Sequence, residues 1–383
     1  MKVCIIHSLW GRFARGGAEH VISLLITELQ HQGNEVVVIT TSPLENQIEL
    51  ERSGLKVYYL KSVFYNLNQL AYWQRFFWHI LNAFNLRKYF EIKKIIEHEK
   101  PSMVWTHNIL GFGFLILKLF KKRSYRHLHT LHDIQLLHPS GLLIWKRESI
   151  ITSFVAQVYQ YIIKSYFSNE VIIISPSKWL LELHTIHGFF PNNSLIILPN
   201  PALLDTENGN PPEIPRSSEV VTFLFVGQIE SHKGIEVLLE AFSLLPNIHL
   251  RLLVVGDGLM LSYLQKNNSD QRITFLGHKS LDEVKKIMKA ADCLVVPSLC
   301  YENYPTVILE ARGVLLPVIG SNFGGIKEMI KNEEFLFIPT CENIREKLVY
   351  FSENHQKIKT ESIEHNDLFL LSVEDYLKRL PLN

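Results

Sequence analysis

Residues 3–40 read VCIIHSLWGRFARGGAEHVISLLITELQHQGNEVVVIT, and this stretch decides the fold class. An apolar segment, Val3–His7, is predicted as a strand. A glycine-containing loop follows, and then a helical pattern that runs from Ala18 until Gly33 ends it. Val36–Thr40 is predicted as the next strand. A strand, a crossover helix and a second strand in this order are typical of an α/β fold with a parallel sheet.

The same alternation continues along the chain and is interrupted once. Further strands are predicted at Met103–Thr106, His127–Thr130, Val171–Ser175, Leu195–Leu198, Phe223–Val226, Leu250–Val255, Ile273–Leu276, Cys293–Pro297 and Val318–Gly320. Residues 200–215 are polar and rich in proline, as linkers between domains are. We therefore predict two Rossmann-like domains, residues 1–199 and 216–369, whose parallel sheets face each other across a cleft. A helix at about 370–383 is expected to pack back on the first domain.

Composition limits where the protein acts and what it meets. The four cysteines form no CxxC pair, which favours a reducing, cytoplasmic location. No segment approaches the roughly 20 apolar residues of a spanning helix. Residues 1–200 hold 21 Lys and Arg against 13 Asp and Glu, a net +8, and the remainder holds 18 against 25, a net −7. The first half is therefore expected to meet an anionic partner. No nucleic-acid motif accompanies the charge, so nucleic acid is not the expected partner.

The strongest functional pattern is PSLCYENYPTVILEA, residues 297–311. A predicted strand ends at Pro297, a short loop carries Glu302, and Pro305 stands where a first helical position is expected. The start of such a helix is a ready site for a phosphate. Glu310 lies about 7.5 Å further along the helix axis. Carboxylates accept strong hydrogen bonds from hydroxyls, so the two glutamates are candidates to bind the sugar and ribose of a nucleotide sugar. Two solvated glutamates flanking a helix are the alternative.

A second pattern, GQIESHKG at residues 227–234, directly follows a predicted strand, where open α/β sheets bind ligands. Lys233 can bring a positive charge to a diphosphate leaving group. The alternative is a surface lysine at a helix start, where the helix dipole disfavours a cation. Gly256, Gly258 and the pair Gly324–Gly325 either let backbone approach a ligand or mark plain turns.

Histidines at positions 127, 129, 132 and 138 raise the alternative of a metal site. His127 and His129 would share one face of a strand, whereas His132 falls in the next loop. Neither a cysteine nor a paired carboxylate joins them, so the pattern does not favour a metal. The sequence also contains no Asp-x-Asp pair, and we expect no metal at the diphosphate.

With these motifs the chain resembles a family 4 retaining glycosyltransferase of the GT-B fold, and most of all members from exopolysaccharide synthesis. The resemblance covers nearly the whole chain. It rests on GGAE at 16–19, TLHD at 130–133, SPSKWL at 175–180, LPNP at 198–201, GQIESHKG at 227–234, the glutamates at 302 and 310, and GGIKE at 324–328.

The resemblance implies a role for each matched residue. It implies that Glu302 contacts the donor sugar, Glu310 the ribose and Lys233 the diphosphate. It implies a place near the transferred sugar for His132, and near the donor phosphates or the acceptor for Gly17. The other candidate donor-binding residues are Gln228, Asn303, Tyr304, Gly256 and Gly258. The nucleotide sugar is then a substrate, and no cofactor is expected.

The chain departs from the family pattern in two places. Gln228 stands where many members carry arginine, and it keeps a hydrogen bond but loses a charge. Residues 331–338 lack the usual glycine-rich turn.

The expected function is retaining transfer of a hexose-type sugar to a saccharide or a lipid-linked saccharide in surface polysaccharide synthesis. An epimerase or hydrolase of similar architecture is one alternative. A non-catalytic nucleotide-sugar-binding protein is another, although it would be expected to have lost Glu302, Glu310 or Lys233. A dinucleotide oxidoreductase would need G-x-G-x-x-G after the first strand, which residues 7–17 lack.

The first half also suggests an anionic membrane surface at the inner face of the membrane as a partner. Residues 72–89 interleave aromatic and basic side chains, namely Trp73, Phe76, Phe77, Trp78 and Phe84 with Arg75, Arg87 and Lys88. A second basic cluster comprises Lys121, Lys122, Arg123 and Arg126. Aromatic and basic residues on one helix suit the membrane interface. The alternative is that the aromatic residues belong to the core.

Overall fold

The computed structural model describes residues 1–14, 16–65, 70–121, 125–202, 220–246, 249–364 and 370–382. The strands are β1 Lys2–Ile6, β2 Glu35–Ser42, β3 Gln47–Leu50, β4 Lys56–Lys61, β5 Met103–Thr106, β6 Arg126–Thr130, β7 Ile172–Ser175, β8 Leu195–Ile197, β9 Val221–Val226, β10 Leu250–Val255, β11 Ile273–Gly277, β12 Cys293–Val296, β13 Val318–Ser321 and β14 Leu336–Phe337. The α-helices are α1 Gly17–His31, α2 Tyr72–Ala83, α3 Leu86–Glu99, α4 Phe154–Lys164, α5 Lys178–Ile186, α6 Ile235–Ser243, α7 Leu261–Asn267, α8 Leu281–Ala290, α9 Thr306–Gly313, α10 Gly324–Met329, α11 Cys341–Glu364 and α12 Val373–Lys378.

The chain divides into two compact units. The first consists of Met1–Leu143, Arg147–Asn200 and Val373–Asn383, and the second of Ile144–Lys146 and Pro201–Ser372. In the first unit α12 packs against α1. The predicted boundaries at 199 and 216 stay predictions, because most of the linker between them lies outside the described residues.

The first sheet has the order β3-β4-β2-β1-β5-β6-β7-β8. All neighbouring strands are parallel except β3, which pairs antiparallel with β4 at the edge. The four residues of β1 after Lys2 are buried, as expected for a central strand covered by helices on both faces. The sheet extends to opposite sides from the pair β1 and β5.

The second sheet is parallel throughout the described residues, in the order β11-β10-β9-β12-β13-β14. Its strands alternate between two apolar cores. Phe223 and Phe225 pack on the face that α6 and α11 cover, whereas Leu224 packs on the opposite face with residues of α8, α9 and α10. This alternation follows from the two-residue period of a strand.

The predicted α/β class with two Rossmann-like units is confirmed. The sequence analysis did not predict β3 and β4, which are the last two strands at one edge of the first sheet, nor the long helix α11. No helix within the described ranges is both long and apolar enough to cross a membrane.

Candidate functional site

The candidate residues of the second unit follow the two strands at which the strand order of its sheet reverses. β9 and β12 lie side by side, and the sheet continues from them to opposite edges. Lys233 lies in the loop after β9, and Glu302 lies in the loop after β12. In open α/β sheets, ligands bind outside the carboxyl ends of the strands at such a switch point. The fold therefore brings both loops to the ligand-binding edge.

These two loops are joined backbone to backbone. The N–H groups of Leu299 and Cys300 donate to the carbonyl oxygen of His232, at 2.9 and 3.1 Å. Gly234 has a φ of +73°, and a Cβ added there would lie 1.8 Å from the carbonyl oxygen of Pro297. Only glycine tolerates both the positive φ and the close contact. The glycine that follows Lys233 thus lets the two loops approach each other.

Lys233 and Glu302 form an ion pair, with Nζ 2.5 Å from Oε1. Their side chains are 24% and 17% exposed. The hydroxyl of Ser298 donates to the same carboxylate oxygen at 2.9 Å, and the hydroxyl of Ser321 donates to the Ser298 carbonyl at 2.8 Å. Lys233 and Ser298 therefore both hold Oε1 of Glu302, and Ser321 in turn holds the backbone of Ser298.

Both members of the pair are charged at neutral pH. Burial alone would raise the pKa of Glu302, but the ammonium of Lys233 and the hydrogen bonds lower it below its ordinary value. Burial alone would lower the pKa of Lys233, and the charge of Glu302 raises it instead. A cation held at a ligand-binding edge can stabilise negative charge on a leaving group.

The pair Gly324–Gly325 supports the Glu302 loop. The N–H group of Gly325 donates to the carbonyl oxygen of Glu302 at 2.7 Å. A Cβ on Gly325 would lie 1.4 Å from the carbonyl oxygen of Asn303, and Gly324 has a φ of +62°. The sequence left open whether these glycines let backbone approach a ligand or mark a plain turn. The close neighbour in the structure is the chain's own backbone.

Gly256 and Gly258 also lie against backbone. A Cβ on Gly256 would lie 1.8 Å from the carbonyl oxygen of Gly227, and one on Gly258 would lie 2.5 Å from that of Ile229. The two glycines therefore let the loops after β9 and β10 meet, and their donor-binding role stays a prediction. The other donor-binding candidates, Gln228, Asn303 and Tyr304, lie in the loops after β9 and β12 and are half-buried.

Helix α9 begins one residue later than predicted. Pro305 is the N-cap with a ψ of 120°, which is an extended conformation, so Thr306 is the first helical residue. Glu310 lies one turn further on and is half-buried. Burial raises the pKa of Glu310, and the hydrogen bond from Thr306 and the charge of Lys285 oppose this without reversing it. The residue keeps its predicted place on the helix, and its contact with ribose stays a prediction.

In the first unit, three histidines form a cluster at the carboxyl ends of β1, β5 and β6. This histidine cluster comprises His7, His107 and His132. A hydrogen bond of 2.9 Å joins Nδ1 of His107 to Nε2 of His132, and Trp105 stacks on His107. The His7 ring lies 6.0 Å from that of His107 and 6.1 Å from that of His132.

Two members of the cluster are uncharged at neutral pH. Burial lowers the pKa of His132 to about 3, and burial together with its histidine neighbours lowers the pKa of His107 well below its ordinary value. A neutral imidazole donates or accepts a hydrogen bond but contributes no charge. His132 is therefore suited to orienting a hydroxyl group.

Glu19 connects the cluster to the start of α1. One carboxylate oxygen lies 3.2 Å from Nε2 of His7, and the other accepts from the N–H group of Gly16 at 2.7 Å. This contact fixes the turn that contains Gly17, whose role stays a prediction. Sequence reasoning missed His7 and His107. The signal that could have found them is a polar residue directly after a buried apolar strand.

His127 and His129 do share one face of β6. The hydroxyl of Thr106 lies 2.8 Å from a ring nitrogen of each. Both histidines are buried. Over the described part of the chain, no group of three or more His, Cys, Asp or Glu side chains is placed to hold a metal ion.

Two family models match consecutive parts of the chain. Residues 15–204 match glycosyltransferase family 4, and residues 209–366 match the glycosyl transferases group 1. The chain belongs to these glycosyltransferases. The predicted family is thereby confirmed, together with the coarse function of glycosyl transfer.

Individual proteins agree with this assignment. A 42.6 kDa uncharacterized protein in the cps region of Klebsiella pneumoniae is 23% identical over 348 residues, which are 86% of this chain and 87% of that protein. The lipopolysaccharide 1,2-N-acetylglucosaminetransferase of Salmonella typhimurium is 27% identical over 180 residues, 42% of this chain and 47% of that enzyme. The solved structure of Anabaena HepE in complex with UDP and glucose covers 99% of this chain and 97% of its own at 16% identity, with a TM-score of 0.72. The GT-B fold is confirmed.

Proposed function

We propose that this glycosyltransferase moves a hexose-type sugar, with retention, from a nucleoside diphosphate to a saccharide or lipid-linked saccharide in surface polysaccharide synthesis. The observation that carries the proposal is the ion pair of Lys233 and Glu302 at the switch point of the second sheet. The cps-region and lipopolysaccharide relatives support the pathway class, and the UDP bound to HepE supports the donor class.

Lys233 is proposed to bind the diphosphate of the donor. Its ammonium has three N–H donors, so it can contact a phosphate oxygen and keep Glu302 as a partner. Glu302, already oriented by Ser298, is proposed to accept from a hydroxyl of the donor sugar. Glu310 is proposed to accept from the ribose.

Transfer then starts with departure of the diphosphate. The bond between the anomeric carbon and the phosphate oxygen breaks, and its electron pair leaves with the diphosphate, stabilised by Lys233 and the start of α9. The acceptor hydroxyl attacks from the same face and forms the new bond to the anomeric carbon. Its proton passes to the leaving phosphate oxygen. His132, which is neutral, orients a hydroxyl group of the transferred sugar.

We also propose that the protein works at the inner face of a membrane, as a peripheral protein, and that no metal takes part. The net charge of +8 over residues 1–200 supports the membrane association.

In the second basic cluster, Lys121 donates to the carbonyl of Ser165 and Arg126 to that of Pro381, each at 2.6 Å. Lys122 and Arg123 lie outside the described residues. Co-sedimentation with anionic and neutral vesicles tests the proposed membrane association. Binding that does not depend on lipid charge or on salt would contradict it.

A donor screen tests the main proposal. Purified protein is incubated with a panel of UDP- and GDP-sugars, with and without crude lipid acceptor, and both nucleotide release and product stereochemistry are measured. We expect one donor to be consumed only when acceptor is present, with the anomeric configuration retained. Epimerised donor, or sugar released equally well without acceptor, would contradict the proposal.

The matched variants are Lys233→Ala and Lys279→Ala. Lys279 also pairs with a carboxylate, Glu283 at 3.5 Å, but it lies just before α8 and outside the candidate site. Removing Lys233 should lower the rate about 10²–10³-fold, as expected for one preorganised stabiliser of developing charge. Lys279→Ala should transfer at the wild-type rate. Equal rates in the two variants would show that the leaving group is stabilised elsewhere.

A further inference from the structure

A cavity of about 520 Å³ lies at the carboxyl edge of the first sheet, outside the site described above. Its floor is formed by Pro43 after β2, by Lys61–Val63 at the end of β4 and by Gly111 after β5. Helices α2 and α3 form its walls. The hydroxyl of Ser62 donates to the carbonyl oxygen of Gly111 at 3.1 Å and joins the two sides of the floor. The histidine cluster lies at the same edge of the same sheet.

The described lining of this cavity combines apolar and cationic side chains. The apolar ones are Val63, Trp78, Leu81, Phe84 and Leu86, and the cationic ones are Lys61, Arg87 and Lys88. No carboxylate is found among the described lining residues. Lys61 pairs with Glu45, and Arg87 and Lys88 share Glu91, at 2.9 and 2.6 Å. Three cations on two carboxylates still leave an excess of positive charge at the lining.

Two polar side chains are buried in the cavity wall. Lys88 is 5% exposed and Asn82 is 4% exposed. Among the described residues, Oδ1 of Asn82 has no hydrogen-bond partner. A buried polar atom without a partner costs free energy, so a partner from outside the fold is favoured. An amide there can accept from a hydroxyl or, when flipped, donate to a phosphate oxygen.

The outer face of α2 and its C-cap carries apolar side chains into solvent. Trp73, Phe77, Leu81 and Phe84 follow each other at intervals of four, four and three residues, which places them on one helix face. They are 63%, 56%, 71% and 47% exposed. For Trp73, Phe77 and Phe84, the alternative that the aromatic residues belong to the core is therefore wrong. Monomeric proteins rarely expose such contiguous apolar patches without a partner.

On the basis of the proposed function, we propose that this cavity binds the phosphate and the first part of the apolar chain of a lipid-linked acceptor. The phosphate contacts Lys61 and Arg87, and the chain leaves along the exposed face of α2. The saccharide can then extend along the carboxyl edge that also carries the histidine cluster. A bilayer surface alone would contact α2 but would not fill a concave site, so the occupant is a single lipid phosphate.

The binding test uses the full chain and farnesyl phosphate, a short isoprenoid phosphate, below its self-association concentration. Farnesol and inorganic phosphate are the matched probes that lack the charge or the chain. We expect farnesyl phosphate to bind at least about tenfold more tightly than either, because it alone gains both the apolar and the charge contribution. Its affinity should fall as salt is added. Equal affinity for farnesol would overturn the proposal.

Two variants address the two halves of the ligand. Lys61→Gln with Arg87→Gln removes the exposed cations, and Leu81→Ser removes one apolar contact. The matched controls are Lys378→Gln, an exposed lysine paired with Glu374, and Ile186→Ser, an exposed aliphatic residue of α5. Neither control residue lines the cavity.

We expect the Lys61 and Arg87 double variant to bind farnesyl phosphate about tenfold more weakly or worse, since hydrogen bonds to charged groups are the strong ones. Leu81→Ser should also weaken binding, and both controls should keep the wild-type affinity. Unchanged affinity in the double variant would overturn the proposal. So would binding to phosphatidylglycerol vesicles without any binding of farnesyl phosphate, since the partner would then be the bilayer surface.

This test separates the cavity from the proposed function. If farnesyl phosphate binds through Lys61 and Arg87 but no sugar donor is consumed, the cavity proposal stands and the function fails. If farnesyl phosphate does not bind to the wild-type protein, while the wild type and the double variant transfer sugar to a water-soluble saccharide at the same rate, the cavity proposal fails and the function stands.

Discussion

Replacing Gly325 by alanine tests whether the Glu302 loop must lie where the structure places it. A Cβ on Gly325 would lie 1.4 Å from the carbonyl oxygen of Asn303 and 2.5 Å from its carbonyl carbon. Real Cβ atoms essentially never come within 3.0 Å of another non-bonded heavy atom, so relief of the first contact requires the two atoms to move apart by at least 1.6 Å, the difference between 3.0 and 1.4 Å. Both of these Asn303 atoms belong to the backbone, so neither can rotate away as a side-chain atom could.

The displacement acts directly on the candidate site. Because the N–H group of Gly325 donates to the carbonyl oxygen of Glu302, the same movement breaks this bond and shifts the loop relative to Lys233. A misplacement of about 1 Å can cost about 10²-fold in rate, so we expect kcat/KM of Gly325→Ala to fall by about 10²-fold or more. Overpacking should also lower the free energy of unfolding by about 1–3 kcal/mol.

The assay is kcat/KM for the donor found in the screen, with thermal unfolding measured on the same sample. Gly313→Ala is the control, because a Cβ there would meet no atom within 4 Å and its φ is not positive. This control should keep wild-type kinetics and stability. Wild-type kcat/KM in Gly325→Ala would refute the reasoning, whereas a folded variant with greatly reduced kcat/KM would support it.

Three further outcomes are expected. Because the pKa of Glu302 is lowered from 4.5, its contribution to stability is present above that value and is lost as the pH falls through the lowered pKa; thermal unfolding against pH should show this loss in the wild type and not in Glu302→Gln. Glu310→Gln should mainly raise the donor KM, and Glu302→Gln should mainly lower kcat; steady-state kinetics decide, and wild-type values in either variant would contradict that residue's role. Transfer should continue in EDTA, since Lys233 can carry the charge of the diphosphate; complete loss that a divalent ion restores would show that a metal is needed.

The sequence predicted the central strands well and the edges of the fold poorly. β1, β5, β12 and their neighbours are buried on both faces, so they form continuous apolar runs that a pattern search finds. β3 alternates half-buried and exposed residues at a sheet edge, and its four residues give a weak signal. Pro305 was misplaced by one position because proline fixes φ but leaves ψ free, and here ψ is extended.

The contacts within the site could not be predicted from local patterns. Lys233 and Glu302 are 69 positions apart, and His107 and His132 are 25 apart. Lys233 and Glu302 meet because β9 and β12, which are not consecutive in the chain, are neighbours in a sheet, and His107 and His132 meet because the consecutive strands β5 and β6 pair in parallel. In both cases the pairing of strands is a tertiary property. The motifs identified Lys233, Glu302 and His132 one by one. They did not identify the ion pair between Lys233 and Glu302, or His107, which is hydrogen-bonded to His132.

The two units bring groups of different charge state to their ligand-binding edges. In the second unit, mutual attraction keeps Lys233 and Glu302 charged against the effect of burial. In the first unit, burial keeps His107 and His132 neutral, and the nearby carboxylate of Glu19 does not reverse this for His132. A diphosphate that leaves with additional negative charge needs a fixed cation, whereas a sugar hydroxyl needs a directional partner without charge. Under the proposed function, these charge states favour stabilisation of the leaving group by residues of the second unit and orientation of the sugar by residues of the first.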